Sequence, residues 1–181
     1  MHLRIWRRVS SHLVADCKVF TVTQKLMEGE NKSIDAYVIE NPDWVNIIAL
    51  TAEMQVVLIE QFRYGIEKVI LELPGGMIDE GEDAERAARR ELLEETGFSA
   101  EKFILLGISN PNPAIQNNRI YHYLAINARK TSDTDFDENE SISTKLVPIK
   151  ETDYLIKSGK ITHSLVVSAF HYFSLWQKDF S

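Results

Sequence analysis

The chain has 181 residues, enough for one domain with a sizeable core, and its 44% hydrophobic and 26% charged residues are typical of a globular protein. The formal net charge of −7 argues against a nucleic-acid polymer as the main partner, because phosphate backbones bind to basic surfaces. We expect no secretory signal and no membrane-spanning segment, since no apolar run is long enough. The single cysteine, Cys17, excludes an internal disulfide and fits a cytoplasmic location.

The first half of the chain is predicted to consist of strands. Two are predicted at residues 14–23 and 34–40, separated by a polar turn at 28–31, and three more at 45–50, 55–64 and 69–73. The last of them runs into Pro74, Gly75 and Gly76, where two glycines allow the backbone to approach a ligand closely.

The second half combines helices with strands. A helix is predicted from about Glu82 to Thr96, ending at Gly97. Further strands are predicted at 103–109, 119–127 and 142–149. A C-terminal helix from 164 to 178, with Ser164 or Thr162 as its N-cap, carries one apolar stripe, formed by Leu165, Ala169, Phe173 and Trp176. This order predicts an α+β fold or a mixed-sheet sandwich.

Three glutamates of the first predicted helix, Glu91, Glu94 and Glu95, lie so close together that their like charges repel. Glu91 and Glu95 share a face with the packing stripe of alanines, where an unpaired charge is costly. The alanines are Ala84, Ala87 and Ala88, and the predicted exposed side consists of Glu85, Arg86, Arg89 and Arg90. A solvated acidic face is the commoner origin of a charge run, but this arrangement favours a site for Mg²⁺ or Mn²⁺.

The spacing around these glutamates resembles the Nudix box. Its fixed positions are met by Gly76, Glu82, Arg90, Glu91, Glu94, Glu95 and Gly97, and its apolar positions by Leu92 and Phe98. The resemblance implies an α/β/α sandwich that hydrolyses nucleoside diphosphates linked to a further group. The box does not determine the substrate, so flanking residues must be considered separately.

The same resemblance implies roles for the box residues. The implied metal-binding residues are Gly75 (through its carbonyl), Glu82, Glu91, Glu94 and Glu95. Glu91 and Glu95 would be the main ligands, whereas Glu82 would bind a metal directly or organise the loop. Arg90 would orient the glutamates by ion pairing. The implied cofactor is Mg²⁺, with Mn²⁺ as an alternative.

In the ADP-ribose group of this family, the general base often lies on a loop before the last strand. The acidic segment 133–143 stands in that place. Glu140 aligns best with the base of the family, and Glu138 is the alternative. A glutamate of the box, Glu94, stays open as a catalytic residue, and a merely solvated acidic loop explains the segment equally well.

Two features upstream and downstream of the box resemble ADP-ribose and nucleotide-sugar pyrophosphatases. Residues 60–76 resemble the run before their box, where an arginine at the position of Arg63 contacts substrate phosphate; the alternative is an ion pair with Glu60 or Glu67. Pro113 stands fifteen residues past Phe98, where this subgroup has a proline. The surrounding segment 110–118 departs from the usual Ser-Pro-Gly-like element, so other sugar nucleotides remain possible substrates.

A third feature is the N-terminal β extension, residues 1–44, which precedes a Nudix domain at 45–181. In the subgroup such an extension builds a two-fold dimer, so a homodimer is implied. Trp6 and Trp44 offer flat surfaces for stacking a nucleotide base, although ordinary packing explains both equally well.

The sequence therefore predicts Mg²⁺-dependent hydrolysis of a nucleoside diphosphate sugar of the ADP-ribose, GDP-mannose or ADP-glucose type. The products would be a nucleoside monophosphate and a sugar phosphate. The alternatives are a nucleoside triphosphate or dinucleotide pyrophosphatase, and a sensor that binds nucleotide sugars without cleaving them. A sensor is disfavoured because every box glutamate is present.

Overall fold

The computed structural model describes residues 3–135 and 141–179 in two compact units. The first unit runs to Asp43 and includes Asn110–Arg119. The second comprises Trp44–Ser109 and the chain from Ile120 onward. The segment 110–119, which we placed in the main domain from the sequence, thus groups with the N-terminal strands.

The first unit contains a three-stranded antiparallel sheet of β1 (Arg7–Asp16), β2 (Thr21–Gly29) and β3 (Lys32–Glu40). The predicted strand at 14–23 is wrong, because a turn divides it. Lys18 adopts a left-handed conformation there, with φ of 67°, and its N–H donates to Asp16 Oδ1 at 2.9 Å. Because no glycine or proline marks this turn, the strand-like sequence pattern did not indicate that one strand ends and another begins here.

The second unit contains a mixed six-stranded sheet. Its strands are β4 (Trp44–Leu50), β5 (Gln55–Arg63), β6 (Lys68–Glu72), β8 (Lys102–Ser109), β9 (Ile120–Ile126) and β11 (Ile142–Pro148). Their order is β11-β5-β4-β9-β8, with β6 also paired to β5; β4 and β9 run parallel. Two short strands, β7 (Phe98–Ser99) and β10 (Arg129–Lys130), form a separate antiparallel ribbon.

One long helix packs on each face of this sheet, α1 (Ala84–Thr96) and α3 (Ser164–Asp179), with the short α2 (Thr152–Lys157) before α3. The core on the α1 side includes Val45, Ile47, Ala49, Val57, Ala87, Ala88, Leu92, Tyr123 and Ala125. The core on the α3 side includes Ile48, Leu50, Val56, Leu58, Leu124, Ala169, Phe170 and Phe173. The predicted α+β fold with α/β/α layers is confirmed. Among the described residues, no helix is both long and apolar enough to cross a bilayer.

The boundaries of α1 follow from its capping residues. Asp83 is the N-cap, since its Oδ1 accepts the N–H of Arg86 at 2.9 Å. Gly97 ends the helix in the left-handed conformation, with φ of 72°, and its N–H donates to Leu93 O at 2.8 Å. The predicted start at Glu82 is therefore wrong, and Glu82 lies in the loop before the helix.

The buried stripe of α3 also differs from the prediction. Its buried residues are Val166, Ala169, Phe170 and Phe173. Leu165 and Trp176, which we assigned to the stripe, are half-buried. The first helical bonds run from Val166 and Val167 to the carbonyl of His163, not to Ser164 or Thr162.

His122 on β9 is fully buried on the α3 side of the sheet. Its Nε2 lies 2.8 Å from Ser109 Oγ, and its ring centroid lies 5.3 Å from that of Tyr172. Burial disfavours the charged imidazolium and lowers the pKa of His122 from 6.5 to about 4. The native state therefore holds this histidine neutral.

We expect His122 to make the protein less stable as the pH falls through the window between 6.5 and about 4. The unfolded state binds the proton first, so stability is present above the unfolded pKa and is lost toward the folded one. Between pH 7 and pH 5, the free energy of unfolding should fall by about 2 kcal/mol through this residue. Urea denaturation at the two pH values measures the loss.

His122→Gln should remove this part of the pH dependence, whereas the control His171→Gln, at an exposed position of α3, should keep it. Burial also lowers the pKa of His163, which contributes equally in both variants. An unchanged pH dependence in His122→Gln would contradict the assignment.

Candidate active site

A cavity of about 520 Å³ opens in the second unit beside α1. Its walls are formed by Gln61, Arg63, Gly75, Gly76, Met77, Asp79, Arg90, Glu91, Glu94, Glu95 and Asp135. Seven residues singled out from the sequence meet here, namely Arg63, Gly75, Gly76, Arg90, Glu91, Glu94 and Glu95. The cavity is therefore the candidate active site.

The loop of Gly75 and Gly76 is fixed between β4 and α1. The N–H of Val45 donates to Gly76 O, and the N–H of Ile47 donates to Pro74 O, each at 2.9 Å. From the helix side, Glu95 Oε2 accepts the N–H of Gly75 at 2.8 Å. A Cβ at Gly75 would lie 2.1 Å from Val45 O, so only glycine fits this close approach.

Gly76 makes room for a carboxylate. A Cβ at this position would lie 2.4 Å from Glu91 Oε1 and 2.7 Å from Glu91 Oε2. The space left by the missing side chain thus adjoins the carboxylate of Glu91. Two carboxylates of one helix, those of Glu91 and Glu95, are held against the backbone of two consecutive glycines.

Glu95 is buried on the same face of α1 as Ala87 and Ala88. Its exposure is only 4%, although it is a carboxylate. Burial of Glu95 on the alanine face was predicted from the helical spacing. A buried carboxylate requires hydrogen-bond donors, and the N–H of Gly75 is one of them.

Arg90, predicted to be exposed, is half-buried because its long side chain bends back toward the glutamates. Its guanidinium donates to Glu91 at 2.8 Å, to Glu94 at 3.2 Å and to Met77 O at 3.0 Å. It also donates to both oxygens of Glu82, at 3.2 and 2.9 Å. Arg90 thus neutralises part of the repulsion between the carboxylates.

Glu82 is held in the loop before α1. The hydrogen bond from Arg90 is the largest cause that lowers the pKa of Glu82, and the same contact raises the pKa of Arg90. Glu82 Oε2 also accepts the N–H of Asp79 at 3.3 Å. Both roles considered for Glu82, as a direct metal ligand and as an organiser of the loop, stay predictions.

Arg63 is anchored at the wall of the cavity by Glu72. Its Nε and Nη2 donate to the two carboxylate oxygens of Glu72 at 2.9 and 2.6 Å, and Glu72 is 2% exposed. We had considered Glu60 or Glu67 as the ion-pair partner of Arg63, and this prediction is wrong, because the partner is Glu72. Glu60 pairs with Lys145 instead. A bidentate pair fixes the plane of the guanidinium.

The donor set fits a hard divalent cation. Several carboxylate oxygens and a nearby carbonyl are the ligands that Mg²⁺ and Mn²⁺ prefer. The guanidinium of Arg90 shows that this cluster accommodates a positive charge. Within the described ranges, 3–135 and 141–179, no three acidic, histidine or cysteine side chains are already gathered around one point as in a formed metal site.

Three further predicted site residues, Trp6, Trp44 and Pro113, are not among the described residues that line the cavity. Trp44 begins β4 and bridges to Met77. In the first unit, Trp6 packs on Gly29, where a Cβ would lie 3.2 Å from the indole, and Pro113 is exposed in a loop. Their roles stay predictions. Glu138 and Glu140 lie outside the described residues.

The cavity also contains residues that we did not identify from the sequence. Gln61 stands two positions before Arg63 on β5, so strand alternation could have placed both on one face. Asp135 joins the site through its N–H, which donates to Glu94 O at 3.0 Å. Asp135 belongs to the acidic segment 133–143, which we expected to carry the general base, but the sequence did not single out this residue or its contact.

Comparison with known proteins identifies the family of the chain. The NUDIX domain model matches residues 41–170. The chain is 33% identical over 139 residues to the methanol dehydrogenase activator of Bacillus methanolicus, covering 76% of this chain and 75% of that protein. It is 27% identical over 139 residues to the ADP-ribose pyrophosphatase of Bacillus subtilis, with the same coverage of 76% and 75%.

Two further matches extend the comparison. The chain is 32% identical over 130 residues to an ADP-ribose pyrophosphatase of Escherichia coli, covering 67% of this chain and 62% of that protein. A crystal structure of ADP compounds hydrolase matches with a TM-score of 0.86 and 24% identity, covering 99% of this chain and 97% of that one, which shows a common fold. The chain therefore belongs to the Nudix family and is a Nudix hydrolase, a group of enzymes that generally use divalent metals.

Proposed function

We propose that this Nudix hydrolase cleaves the diphosphate of nucleoside diphosphate sugars, with ADP-ribose as the leading candidate and GDP-mannose and ADP-glucose as further candidates. The observation that carries the proposal is the cavity itself, which Arg63 lines together with the box carboxylates. An arginine suits a diphosphate because its charge is permanent and its donors are planar. The names of the relatives from Bacillus subtilis and Escherichia coli support this choice of substrate.

The proposed cofactor is Mg²⁺, with Mn²⁺ as the alternative. Glu91 and Glu95 would be its main ligands, with Glu94 and the carbonyl of Gly75 beside them, and Glu82 would bind the ion directly or organise the loop. When bound, the ion would neutralise charge that develops on the diphosphate and would lower the pKa of a water molecule. The closeness of Glu95 Oε2 to the N–H of Gly75, at 2.8 Å, supports a common role for the helix and the loop.

The side chains around the cation would then divide the remaining work. Arg63, fixed by Glu72, binds the diphosphate and holds it in one orientation. Glu140, with Glu138 as the alternative, takes the proton of the attacking water; Glu94 remains a candidate for this role within the box. A carboxylate beside a divalent cation stays ionised, so it accepts a proton without a raised pKa.

The products would be a nucleoside monophosphate and a sugar phosphate. Hydrolysis of nucleoside triphosphates or dinucleotides would instead release pyrophosphate or two nucleotides. Trp6, Trp44 and Pro113 remain the proposed contacts for the nucleotide base and sugar. A nucleic-acid polymer is not proposed as a partner, given the net charge of −7.

We also propose a homodimer formed through the first unit. Nearly every residue of β1 is exposed, and Leu13 and Val14 are 59% and 50% exposed. On β3 of the same sheet, Ile34 and Tyr37 are exposed as well. A second copy of the chain would cover these apolar side chains.

The exposed free thiol of Cys17 supports a reducing cytoplasmic location.

Turnover of a substrate panel tests the proposed function. The panel contains ADP-ribose, ADP-glucose, GDP-mannose, UDP-glucose and nucleoside triphosphates, each with Mg²⁺, and phosphate release is measured with and without an added phosphatase. We expect turnover of the diphosphate sugars, detected when the phosphatase is present.

Glu95→Gln should lower kcat by about 100-fold or more, because a charged group is lost from the transition state, while the fold is retained.

The matched control is Glu101→Gln, at an exposed position outside the cavity. It should leave turnover unchanged. A preference for triphosphates would contradict the assigned substrate class. Tight binding of a nucleotide sugar without any turnover would favour a sensor that does not cleave its ligand. Near-normal activity of Glu95→Gln would contradict the assignment of Glu95 as a metal ligand.

The identity of the general base is tested by two conservative variants. Glu140→Gln should lower kcat strongly with little change in KM, because the amide cannot accept the proton of water while the shape of the side chain is kept. Glu138→Gln should have a much smaller effect. The reverse result would transfer the role to Glu138, and normal kcat in both would direct attention to Glu94.

The relation between Gly76 and Glu91 predicts a selective defect in cation binding. Gly76→Ala places a Cβ 2.4 Å from Glu91 Oε1, so the carboxylate must move. The free energy of unfolding should change little, because the displaced atoms are the end of a flexible side chain. The increase in melting temperature caused by Mg²⁺ should shrink or vanish, since this increase reports binding to the native state.

Gly65→Ala is the control, because no atom lies within 4 Å of a Cβ at that glycine. It should retain the full response of the melting temperature to Mg²⁺. If Gly76→Ala responds to Mg²⁺ like the wild type, the carboxylate of Glu91 is not a cation ligand.

A further inference from the structure

Gln61 occupies a position in the cavity that no other assignment explains. It lies on β5, two residues before Arg63, and side chains at alternate positions of a strand point to the same side. Both side chains line the cavity that contains the box glutamates. Gln61 therefore belongs to the same wall as the arginine proposed to bind the diphosphate.

The amide oxygen of Gln61 is buried without a donor. No group within residues 3–135 and 141–179 donates a hydrogen bond to Oε1. A buried acceptor left unpaired costs stability, because it has lost its water and gained nothing in exchange. This oxygen is closed off from solvent as the side chain stands, whereas the residue itself lines the cavity, so a turn of the amide would bring Oε1 to a ligand that carries a donor.

The chemistry of the proposed substrate limits which donor this can be. The diphosphate carries no hydrogen at neutral pH, so it only accepts. The amino group of a purine stands at the far end of the nucleotide, whereas Gln61 shares its wall with Arg63 and lies in one cavity with the glutamates. Sugar hydroxyls flank the diphosphate on both sides and donate readily.

We propose that Gln61 is a specificity-determining residue whose Oε1 accepts a hydrogen bond from a sugar hydroxyl next to the diphosphate. This inference rests on the proposed function, since it concerns the substrate of the same cavity. Arg63 would recognise the charge that all such diphosphates share. Gln61 would distinguish hydroxyl-bearing substituents from those without a donor, because a ligand that leaves the acceptor unpaired binds less well.

The test combines a change in the protein with deletions in the ligand. Gln61→Met keeps the length of the side chain and removes the acceptor, and Gln61→Asn keeps the amide but withdraws it from the cavity. The three ligands are ADP-ribose, an ADP ester of pentanol that lacks the second sugar, and the 2′,3′-dideoxyadenosine form of ADP-ribose. KM, kcat and the ligand-induced rise in melting temperature are measured for each pair.

For ADP-ribose, we expect both variants to raise KM by about 3- to 10-fold with kcat changed less than about two-fold, the range for one lost hydrogen bond. One of the two hydroxyl-deleted ligands should bind wild type and Gln61→Met equally well, and this ligand identifies the sugar that carries the contact. Gln55→Met, a matched substitution at the start of the same strand and outside the cavity, should behave as wild type with all three.

Two results would overturn the inference. Equal weakening of all three ligands would mean that Gln61 acts on the diphosphate, on a cation or on the fold. No weakening of any ligand would mean that a water molecule satisfies Oε1. Failure of the proposed function is a separate result, because it appears as the absence of ADP-ribose turnover in the wild-type protein.

Discussion

The hydrogen bond from the N–H of Gly75 to the buried carboxylate of Glu95 is the contact on which the site depends. It joins the end of α1 to the loop that follows β6, and β4 holds that loop from the other side through Val45 and Ile47. A buried carboxylate is tolerated only where donors are already in place. The glycine loop provides one, and the absence of a side chain at Gly75 allows the loop to pack closely against the carbonyl of Val45.

Charge at the site is partly balanced before any ligand binds. Arg90 contacts three glutamates at once, and Arg63 is matched by the buried Glu72. Each arginine is therefore held by hydrogen bonds, which reduces the loss of conformational freedom when a substrate binds. The cluster of carboxylates, which would be unfavourable in isolation, becomes part of an ordered network of opposite charges.

Local patterns predicted much of this arrangement, but the contacts between distant segments could not be predicted from them. Helical spacing placed Glu95 on the face of Ala87 and Ala88, because helical geometry fixes which residues share a face. The partner of Arg63 could not be read from the sequence, since the pairing of β5 with β6 decides that Glu72 is within reach. Arg90 was misplaced because a helical wheel gives the direction of Cβ and not the course of a long side chain.

The turn at Lys18 was not predicted for another reason. Its left-handed backbone is stabilised by Asp16, and no glycine marks it in the sequence. The overall α+β fold could be predicted because alternation and helical periodicity are averaged over many residues. Single turns, ion pairs and cavity walls are decided by individual atoms. Gln61 illustrates this, since its position on a strand was predictable and its unpaired oxygen was not.

The end of α1 is also the attachment point of a second segment. The carbonyl of Gly97 accepts the N–H groups of Thr131 and Ser132, and the carbonyl of Glu94 accepts that of Asp135. Residues 131–135, which lead to the acidic segment, are thus hydrogen-bonded to the end of the helix that carries the box carboxylates. A Cβ at Gly97 would lie 2.3 Å from Ser132 O. This glycine therefore connects two segments as well as ending the helix, and its replacement would shift α1 and the stretch 131–135 relative to each other, although Gly97 itself does not line the cavity.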